Sequence, residues 1–354
     1  MKVLVAMSGG VDSSVAAALM LEQGHEVVGV TLKQWQEEDG SLPTAGCCTV
    51  ADAEDARRVA SRLGIPYYVL DYVDAFKERV VDEFGRAYLE GRTPNPCIEC
   101  NRRVRFGALL ERVGALGCDA LATGHHARVA YRDGRWRLLK GLDSAKDQSY
   151  VLHMLGQAEL SSIVLPVGEM TKDQVRAHAD RLELRTATKP DSQDLCFVGG
   201  DYRAFLEQHF PQSARPGKVV DMAGAVVGDH AGTAGFTIGQ RRGIGVAVGE
   251  PRFVVSTDPA AATVTIGPRS ALESTTCHVG DVSFVSGEPP PDGWAVDVKV
   301  RYRSAPAAAT IHRSSEGWVV LFDTPQTAIA PGQAAVFYTD DEVVGGGTIL
   351  GTGA

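Results

Sequence analysis

The sequence has no apolar run long enough to cross a membrane, and no basic and then apolar leader precedes its first predicted strand. We therefore expect a cytoplasmic protein that does not associate with membranes. The chain also lacks an excess of positive charge, since the net charge of its 354 residues is −9. An acidic average argues mildly against a nucleic acid partner. It does not exclude one, because binding needs only a local basic patch, such as Arg241 with Arg242 or Arg301 with Arg303.

The first glycine-rich stretch contains no lysine, which excludes the GxxxxGK[ST] type of phosphate loop. This stretch, residues 6–14, joins an apolar strand predicted over Lys2–Ala6 to a helix predicted over residues 13–22. Gly9 and Gly10 would let the backbone approach an anion, and serine hydroxyls and the N–H groups of a helix start would donate to it. Asp12 suits a helix cap or a Mg²⁺ bridge to phosphate. These features favour a phosphate-binding loop, although an ordinary strand–turn–helix connection would use the same residues.

A second pair of cysteines at CxxC spacing is also absent, which argues against a four-cysteine zinc site. The one pair, Cys97 and Cys100, follows prolines 94 and 96, which forbid a helix before Cys97 and predict an irregular loop. Such a pair at a helix start can hold a metal, form a disulfide or give a reactive thiolate. Cys196 follows Pro190 in a polar stretch, where a lone cysteine is more often an inert apolar residue than a nucleophile.

The chain organisation predicts an α/β fold. Up to about residue 205, apolar strands alternate with helical runs, which predicts a Rossmann-like, doubly wound parallel sheet with ligands at the carboxyl ends of its strands. A hairpin is predicted around Asp133 and Gly134. Beyond residue 205, short strands alternate with Gly, Pro and Asp turns, so smaller β-rich domains should follow. We expect domains at 1–205, 206–275 and 276–354, with a turn at glycines 345–347 before the last strand.

Motifs along nearly the whole chain resemble those of the tRNA-specific 2-thiouridylases, a family of PP-loop ATP pyrophosphatases. In chain order they are SGGVDS at 8–13, Gly46-Cys47-Cys48, TPNPCIECN at 93–101, ATGHHA at 122–127, KDQSY at 146–150, KPDSQDLCF at 189–197, FTIGQRRG at 236–243 and PGQ at 331–333. The resemblance implies a PP-loop type sheet and ATP cleaved between its α and β phosphates. It also implies that sulfur replaces oxygen at C2 of the wobble uridine, position 34, of tRNAs for Lys, Glu and Gln.

The resemblance implies roles for individual residues. Cys196 would carry a persulfide supplied by a sulfur-relay protein or a cysteine desulfurase, and Cys100 would resolve the intermediate, with a Cys100–Cys196 disulfide as a product. ATP and Mg²⁺ would be bound by residues of the first loop and of two strand ends: Ala6, Met7, Ser8, Gly9, Gly10, Val11, Asp12, Ser13, Leu32 and Gly124. The anticodon loop of tRNA would be contacted by Asn95, Pro96, Cys97, His125, Lys146, Asp147, Gln148, Arg301, Tyr302, Arg303 and Gln333.

Two positions depart from the common pattern of that family. Many members have Asp where Cys97 stands, and a thiol cannot serve as that carboxylate. The replacement leaves three thiols, Cys97, Cys100 and Cys196, which could instead ligate a [4Fe–4S] cluster with one open iron. Phe236 stands where Tyr is frequent, so a hydroxyl contact is lost there.

Other functions fit parts of the sequence. A PP-loop ligase that adenylates a small molecule would share the first loop but would need neither the three thiols nor a β-rich tail. A non-catalytic RNA-binding or sulfur-carrying protein would keep the loop for structure alone. We expect the thiolation enzyme, acting as a monomer on one tRNA.

Overall fold

The structure is a computed structural model that describes residues 1–36, 49–191, 195–246 and 249–353. Cys47 and Cys48, which match one of the motifs, lie outside the described residues. The described strands, in chain order, are β1 Lys2–Ala6, β2 Glu26–Lys33, β3 Tyr67–Asp71, β4 Ala120–Thr123, β5 Ala127–Arg132, β6 Arg135–Lys140, β7 Ile163–Val164, β8 Gly217–Val220, β9 Val226–His230, β10 Phe253–Asp258, β11 Thr263–Gly267, β12 Glu273–Phe284, β13 Trp294–Lys299, β14 Ala307–Ser314, β15 Gly317–Thr327, β16 Ala334–Thr339 and β17 Glu342–Gly351.

The α-helices are concentrated in the first two hundred residues. They are α1 Val11–Glu22, α2 Val50–Leu63, α3 Val73–Phe76, α4 Asp82–Leu89, α5 Pro96–Glu99, α6 Leu110–Val113, α7 Gln157–Leu160, α8 Lys172–Arg181 and α9 Tyr202–His209. Two π-helical segments, Lys77–Val81 and Cys100–Leu109, join α3 to α4 and α5 to α6. Among the described residues no helix is both long and apolar enough to span a membrane.

The first sheet has the order β3-β2-β1-β4-β7, and all of its pairings are parallel. Its central strand β1 is buried on both faces: Leu4 packs into one hydrophobic cluster, while Val3 and Val5 pack into another on the opposite side. A strand that is apolar at nearly every position needs cover on both faces, and the flanking helices supply it. The predicted doubly wound α/β architecture is confirmed.

The sequence predicts an irregular loop up to Cys97, but the helix that carries the cysteine pair begins one residue earlier, at Pro96. Pro96 is the first residue of α5, and Asn95 caps it by accepting a hydrogen bond from the Cys97 amide at 3.1 Å. Proline is tolerated at this first helical position because its missing N–H has no partner in a helix anyway. Cys97 therefore lies in the first turn of a helix, and Cys100 begins the π-helical segment that follows.

The β-rich region contains two sheets. Four strands pair in the order β10-β11-β8-β9, and eight strands pair in the order β12-β15-β14-β13-β16-β17-β6-β5. An additional pairing of β12 with β17 closes the larger sheet on itself. The predicted hairpin around Asp133 and Gly134 is confirmed as β5 and β6, with both turn residues at positive φ.

Two local predictions in this region are wrong. Glycines 345–347 lie within β17 and not in a turn. A Cβ on Gly345 would lie 2.4 Å from the Ser283 carbonyl oxygen and one on Gly347 would lie 2.4 Å from that of Gly280, so glycine is needed for close strand crossing. The sequence predicts a strand over residues 295–302, but β13 ends at Lys299, and Arg301 and Arg303 lie on the turn that follows.

Candidate active site

The loop after β1 has the geometry expected of a phosphate site. Gly9 has φ +73°, and a Cβ there would lie 2.2 Å from the carbonyl oxygen of Asp52, so only glycine fits. Gly10 is the residue before α1, and among the described residues no side chain caps that helix start. The first amides of α1 are thus left for a ligand, and the helix dipole favours an anion there. This arrangement fits the phosphates of a nucleotide.

The lysines that the loop itself lacks come from distant parts of the chain. The ammonium of Lys189 donates to the Gly9 carbonyl at 3.0 Å and to the carboxylates of Asp52 and Asp55, both at 2.7 Å. The ammonium of Lys172 contacts both carboxylate oxygens of Asp12, at 2.8 and 2.7 Å. Sequence reasoning missed both lysines, although Lys189 lies within a quoted motif. Spacing along the chain gave no sign that they return to the first loop.

Asp12 does not cap the helix, contrary to one of the two roles predicted for it. It lies in the first turn of α1, where Lys172 and the Nε2 atom of His126, at 3.1 Å, hold its carboxylate. Burial raises the pKa of Asp12, but the hydrogen bonds from His126 and Lys172 outweigh burial and leave its pKa below the ordinary value. An ionised Asp12 therefore orients two other groups at the start of α1.

The exit of β4 approaches the same helix start. A Cβ on Gly124 would lie 2.6 Å from the backbone nitrogen of Ser13, so glycine permits this contact. The next residue, His125, is buried, and its Nδ1 atom is 2.7 Å from the Thr123 hydroxyl. Burial, together with the charge of Arg105, lowers the pKa of His125 to about 3, so its ring is neutral. Its expected contact with tRNA stays a prediction.

The exit of β2 brings the segments of Cys100 and Cys196 to one place. Gln34 follows β2 directly, and its side-chain amide donates to the Cys100 sulfur at 3.2 Å. The neighbouring Trp35 packs against the ring of Phe197, with 6.2 Å between ring centroids, and Phe197 follows Cys196 in the chain. Cys100 is buried in a hydrophobic cluster against which the half-buried Cys196 packs. Sequence reasoning missed Gln34 and Trp35, whose only signal is their position after a predicted strand.

The three thiols do not form a metal site in this structure. Within the described part of the chain, which includes Cys97, Cys100 and Cys196, no three His, Cys, Asp or Glu side chains are grouped so that they could hold a metal ion. Cys97 is exposed, whereas Cys100 is buried and its sulfur is not in a disulfide. The thiol positions therefore do not fit a [4Fe–4S] cluster held by these three residues.

Lys146, Asp147 and Gln148, which follow the β5–β6 hairpin, form hydrogen bonds to three different parts of the chain around the site. Gln148 accepts a hydrogen bond from the His126 amide at 2.9 Å. Asp147 accepts from the Gly141 amide at 3.0 Å, and Lys146 donates to Asp191 at 2.8 Å. In this structure these side chains organise the site, and their expected contacts with tRNA stay a prediction.

The turn before β16 contacts the loop that leads to the cysteine pair. The amide of Gln333 donates to the Thr93 carbonyl at 2.9 Å and to that of Pro94 at 3.4 Å, while the Thr93 amide donates to the Pro331 carbonyl. Burial, together with charges that include Cys97, raises the pKa of Tyr302. Arg301, Tyr302 and Arg303 are exposed on their turn, where a ligand could reach them. Residues expected to contact RNA are thus near one another.

Comparison with known protein families gives a consistent result along the chain. Residues 1–200 match the family described as tRNA methyl transferase HUP domain, residues 203–268 the tRNA methyl transferase PRC-barrel domain, and residues 274–349 the aminomethyltransferase beta-barrel domain. A protein of Chloroflexus aurantiacus named tRNA-specific 2-thiouridylase MnmA is 49% identical over 98% of either chain. One of the same name from Carboxydothermus hydrogenoformans is also 49% identical, over 98% of this chain and 97% of its own.

Among solved structures, a 4-thiouridine synthetase in complex with RNA and ATP is 17% identical, with a TM-score of 0.36 over 60% of this chain and 50% of its own. At that TM-score the likeness adds nothing to the assignment.

Proposed function

The chain belongs to the tRNA-specific 2-thiouridylase family and is therefore a sulfurtransferase that acts on tRNA; from this premise, we propose that it thiolates C2 of the wobble uridine at position 34 in an ATP-dependent reaction. The tRNAs would be those for Lys, Glu and Gln. ATP would bind at the loop after β1, and Cys196 would carry the sulfur as a persulfide.

The observation that carries this proposal is the meeting of both cysteine segments at the exit of β2. Gln34 holds the Cys100 sulfur, and Trp35 packs on Phe197 beside Cys196. Strand β2 is the parallel neighbour of β1, whose own exit is the phosphate loop. An adenylation site at this loop would therefore lie at the same carboxyl edge of the sheet as the two cysteine segments, as an enzyme that activates and then thiolates one base requires.

The chemistry follows from the poor reactivity of a uridine carbonyl. In the first step, O2 of the uridine attacks the α-phosphorus of ATP, and pyrophosphate leaves. In the second step, the terminal sulfur of the Cys196 persulfide attacks C2, and AMP leaves with the former O2. The Cys100 thiolate then attacks the Cys196 sulfur, which releases 2-thiouridine and forms a Cys100–Cys196 disulfide. A dithiol reductant and a new persulfide donor restore the enzyme for the next turnover.

The residues around the phosphate loop fit the first step. The open amides at the start of α1 would bind phosphate oxygens, and the ammonium groups of Lys172 and Lys189, which pair with carboxylates here, lie beside the loop where a phosphate could take the place of a carboxylate. We expect Mg²⁺ to arrive on the triphosphate, where it would neutralise charge on the leaving pyrophosphate.

The target base must leave the anticodon stack to reach both ATP and sulfur. The exposed turn with Arg301, Tyr302 and Arg303 is suited to this task, since arginine contacts phosphate and tyrosine stacks on an unpaired base. The Tyr302 ring lies 5.9 Å from that of Tyr150, measured between ring centroids, which places this turn beside the segment of Lys146, Asp147 and Gln148.

The proposal is tested by incubating anaerobically purified protein with ATP, Mg²⁺, a persulfide or sulfide source and unmodified tRNA for glutamate. The tRNA is then digested, and its nucleosides are measured by mass spectrometry. We expect a uridine in which one oxygen is replaced by sulfur, formed only when ATP and tRNA are both present. Pyrophosphate release without tRNA, and no change in nucleoside mass, would instead favour a ligase that adenylates a small molecule.

A further inference from the structure

The side chain of Gln34 contacts one of the two sulfurs that the proposed reaction uses. Gln34 follows β2 directly, and its Nε2 atom donates to the Cys100 sulfur at 3.2 Å. Gln34 is only 3% exposed and Cys100 only 5%. A buried amide has exchanged its hydrogen bonds to water for contacts inside the protein, so the fold places this donor on the sulfur.

The surroundings of the Cys100 sulfur offer little else that could stabilise a negative charge. Cys100 belongs to a hydrophobic cluster that includes Ile98, Val104 and Phe106. Among the described residues, the hydrogen bond from Gln34 is the one made to this sulfur. Apolar surroundings disfavour a thiolate, and a hydrogen bond to its charged form favours it.

The start of α5 does not supply this stabilisation. The open amides of a helix start favour an anion, but α5 begins at Pro96, and the first turn contains Cys97. Cys100 follows the end of α5, and its own amide donates to the carbonyls of Pro96 and Cys97. Stabilisation of charge on the Cys100 sulfur therefore depends on the side chain of Gln34.

The chain on both sides of Gln34 is held in place. The carbonyl of Lys33 accepts a hydrogen bond from the Tyr72 amide at 2.9 Å. On the other side, the buried ring of Trp35 packs against that of Phe197, the residue after the proposed persulfide cysteine, with 6.2 Å between ring centroids. One strand end thus presents the amide to the first thiol and contacts the chain beside the second.

We propose that Gln34 is a catalytic residue that stabilises the Cys100 thiolate and holds its sulfur for the attack on Cys196. The inference rests on the proposed function, in which Cys196 carries the persulfide. In the attack, a bond forms between the two cysteine sulfurs, the bond from Cys196 to the terminal sulfur breaks, and the electron pair leaves on the sulfur of 2-thiouridine. The hydrogen bond from Gln34 is strongest while Cys100 is charged, so its loss slows this step and not adenylation.

The test is a single turnover that separates the steps. Full-length protein is loaded with sulfur by a cysteine desulfurase and cysteine, freed of small thiols, and mixed with ATP, Mg²⁺ and unmodified tRNA for glutamate. Pyrophosphate release measures adenylation, and mass spectrometry of digested free tRNA measures the release of 2-thiouridine. A non-reducing gel detects tRNA that is still joined to Cys196 through a disulfide.

Gln34→Met replaces the amide by a side chain of similar length that cannot donate. Pyrophosphate release should equal that of the wild type, while the release of 2-thiouridine slows about fivefold or more. One hydrogen bond to a charged sulfur would give a larger effect, but a thiolate that is less stabilised is also a stronger nucleophile, which offsets part of it. A tRNA adduct that dithiothreitol reverses should accumulate.

Three other variants calibrate this result. Cys100→Ser should accumulate the same adduct to the greatest extent. Gln34→Glu, which places a negative charge beside the sulfur, should slow the release of 2-thiouridine more than Gln34→Met does. Gln36→Met is the matched control, because the side-chain oxygen of Gln36 accepts from the Lys33 ammonium at 2.7 Å, and its release rate should equal that of the wild type.

Release of 2-thiouridine from Gln34→Met at the wild-type rate would overturn the proposal, as would an equal slowing of pyrophosphate release, which would show general damage to the site. If Gln34→Met does not fold, Gln34→Asn carries the test, because it keeps the amide but withdraws it by one methylene. It should also slow release, and a wild-type rate would contradict the proposal. A wild type that forms no 2-thiouridine, or a Cys100→Ser variant without adduct, would instead refute the proposed function of the two thiols.

Discussion

Substituting Gly9 with alanine should greatly weaken nucleotide binding at the loop after β1. The residue has φ +73°, where a non-glycine residue costs roughly 1–2 kcal/mol. The added Cβ would also lie 2.2 Å from the Asp52 carbonyl oxygen, a backbone atom that cannot swing aside. Asp52 is in the first turn of α2, where it completes the cap with Thr49 and pairs with Lys189. Relief of the clash therefore moves either the phosphate loop or the start of a helix.

The expected loss follows from the hydrogen bonds that such a shift breaks. Two backbone N–H groups moved out of reach of phosphate oxygens would cost about 1.5–3 kcal/mol each, since the acceptor is charged. At about 1.4 kcal/mol per tenfold change, the Kd for ATP should rise by roughly two to four orders of magnitude. Isothermal titration calorimetry with ATP and Mg²⁺ measures this, and a thermal melt shows whether the variant is folded.

Alanine substitutions at two other glycines separate the effect of backbone strain at positive φ from the effect of a steric clash with the added Cβ. Gly24 has φ +80°, but an added Cβ there meets nothing within 4 Å, so Gly24→Ala carries the strain alone. It should lower stability by about 1 kcal/mol and leave the Kd for ATP unchanged. Gly114 has φ −64° and an added Cβ there meets nothing within 4 Å, so Gly114→Ala adds neither strain nor a clash and should bind ATP as the wild type does. If Gly9→Ala bound ATP within about threefold of wild type, the assignment of this loop to phosphate would be refuted.

The remaining predictions concern sulfur transfer, the C-terminal contact and pH. Cys196→Ser should abolish thiolation and leave tRNA binding almost intact. The control Cys118→Ser, at a buried cysteine before β4, should thiolate normally. Retained thiolation in Cys196→Ser would exclude the persulfide assignment. Gln333→Ala removes the hydrogen bonds to the carbonyls of Thr93 and Pro94. Single-turnover thiolation should therefore slow, while the Kd for ATP, measured by calorimetry, should stay unchanged. A thiolation rate equal to that of the wild type would contradict a positioning role for Gln333. Burial lowers the pKa of His125 to about 3 and that of His153 to about 4, both from 6.5, so the unfolded chain binds more protons below pH 6.5. The free energy of unfolding should therefore fall as the pH drops from about 6.5 towards 4, by up to ~1.4 kcal/mol per pH unit for each histidine. Urea unfolding across this range tests it, and His153→Gln should reduce the slope; a flat profile would show that these histidines are not held neutral.

The parallel sheet was predictable because each of its main strands can be recognised from its own local sequence. β1 is apolar at nearly every position and is followed by glycines at positions 9 and 10, and β4 is likewise mostly apolar before Gly124. The hairpin at Asp133 and Gly134 was predictable for the same reason, since its turn chemistry is local. The two prolines predict a loop up to Cys97, whereas the helix begins at Pro96, because proline is tolerated at the first helical position.

What could not be predicted are contacts between residues far apart in sequence. Nothing local marks Lys172 as the partner of Asp12, or Gln34 as the donor to Cys100, because each lies on an element whose position depends on the whole sheet. The glycines at 345–347 were misread for a related reason. Their signal is identical to that of a turn, and only the crossing strands explain why side chains are absent there.

The pairing of β6 with β17 has a consequence for how the protein is made. Arg137 on β6 and Glu342 on β17 are 205 positions apart, yet they form an ion pair within one sheet. During synthesis β6 leaves the ribosome long before its partner exists, so one edge of the hairpin must wait unpaired. An exposed strand edge recruits other strands and favours aggregation. A nascent chain that stalls before β17 would therefore be a target for chaperones, and only synthesis through to β17 supplies the partner for the β6 edge of the hairpin.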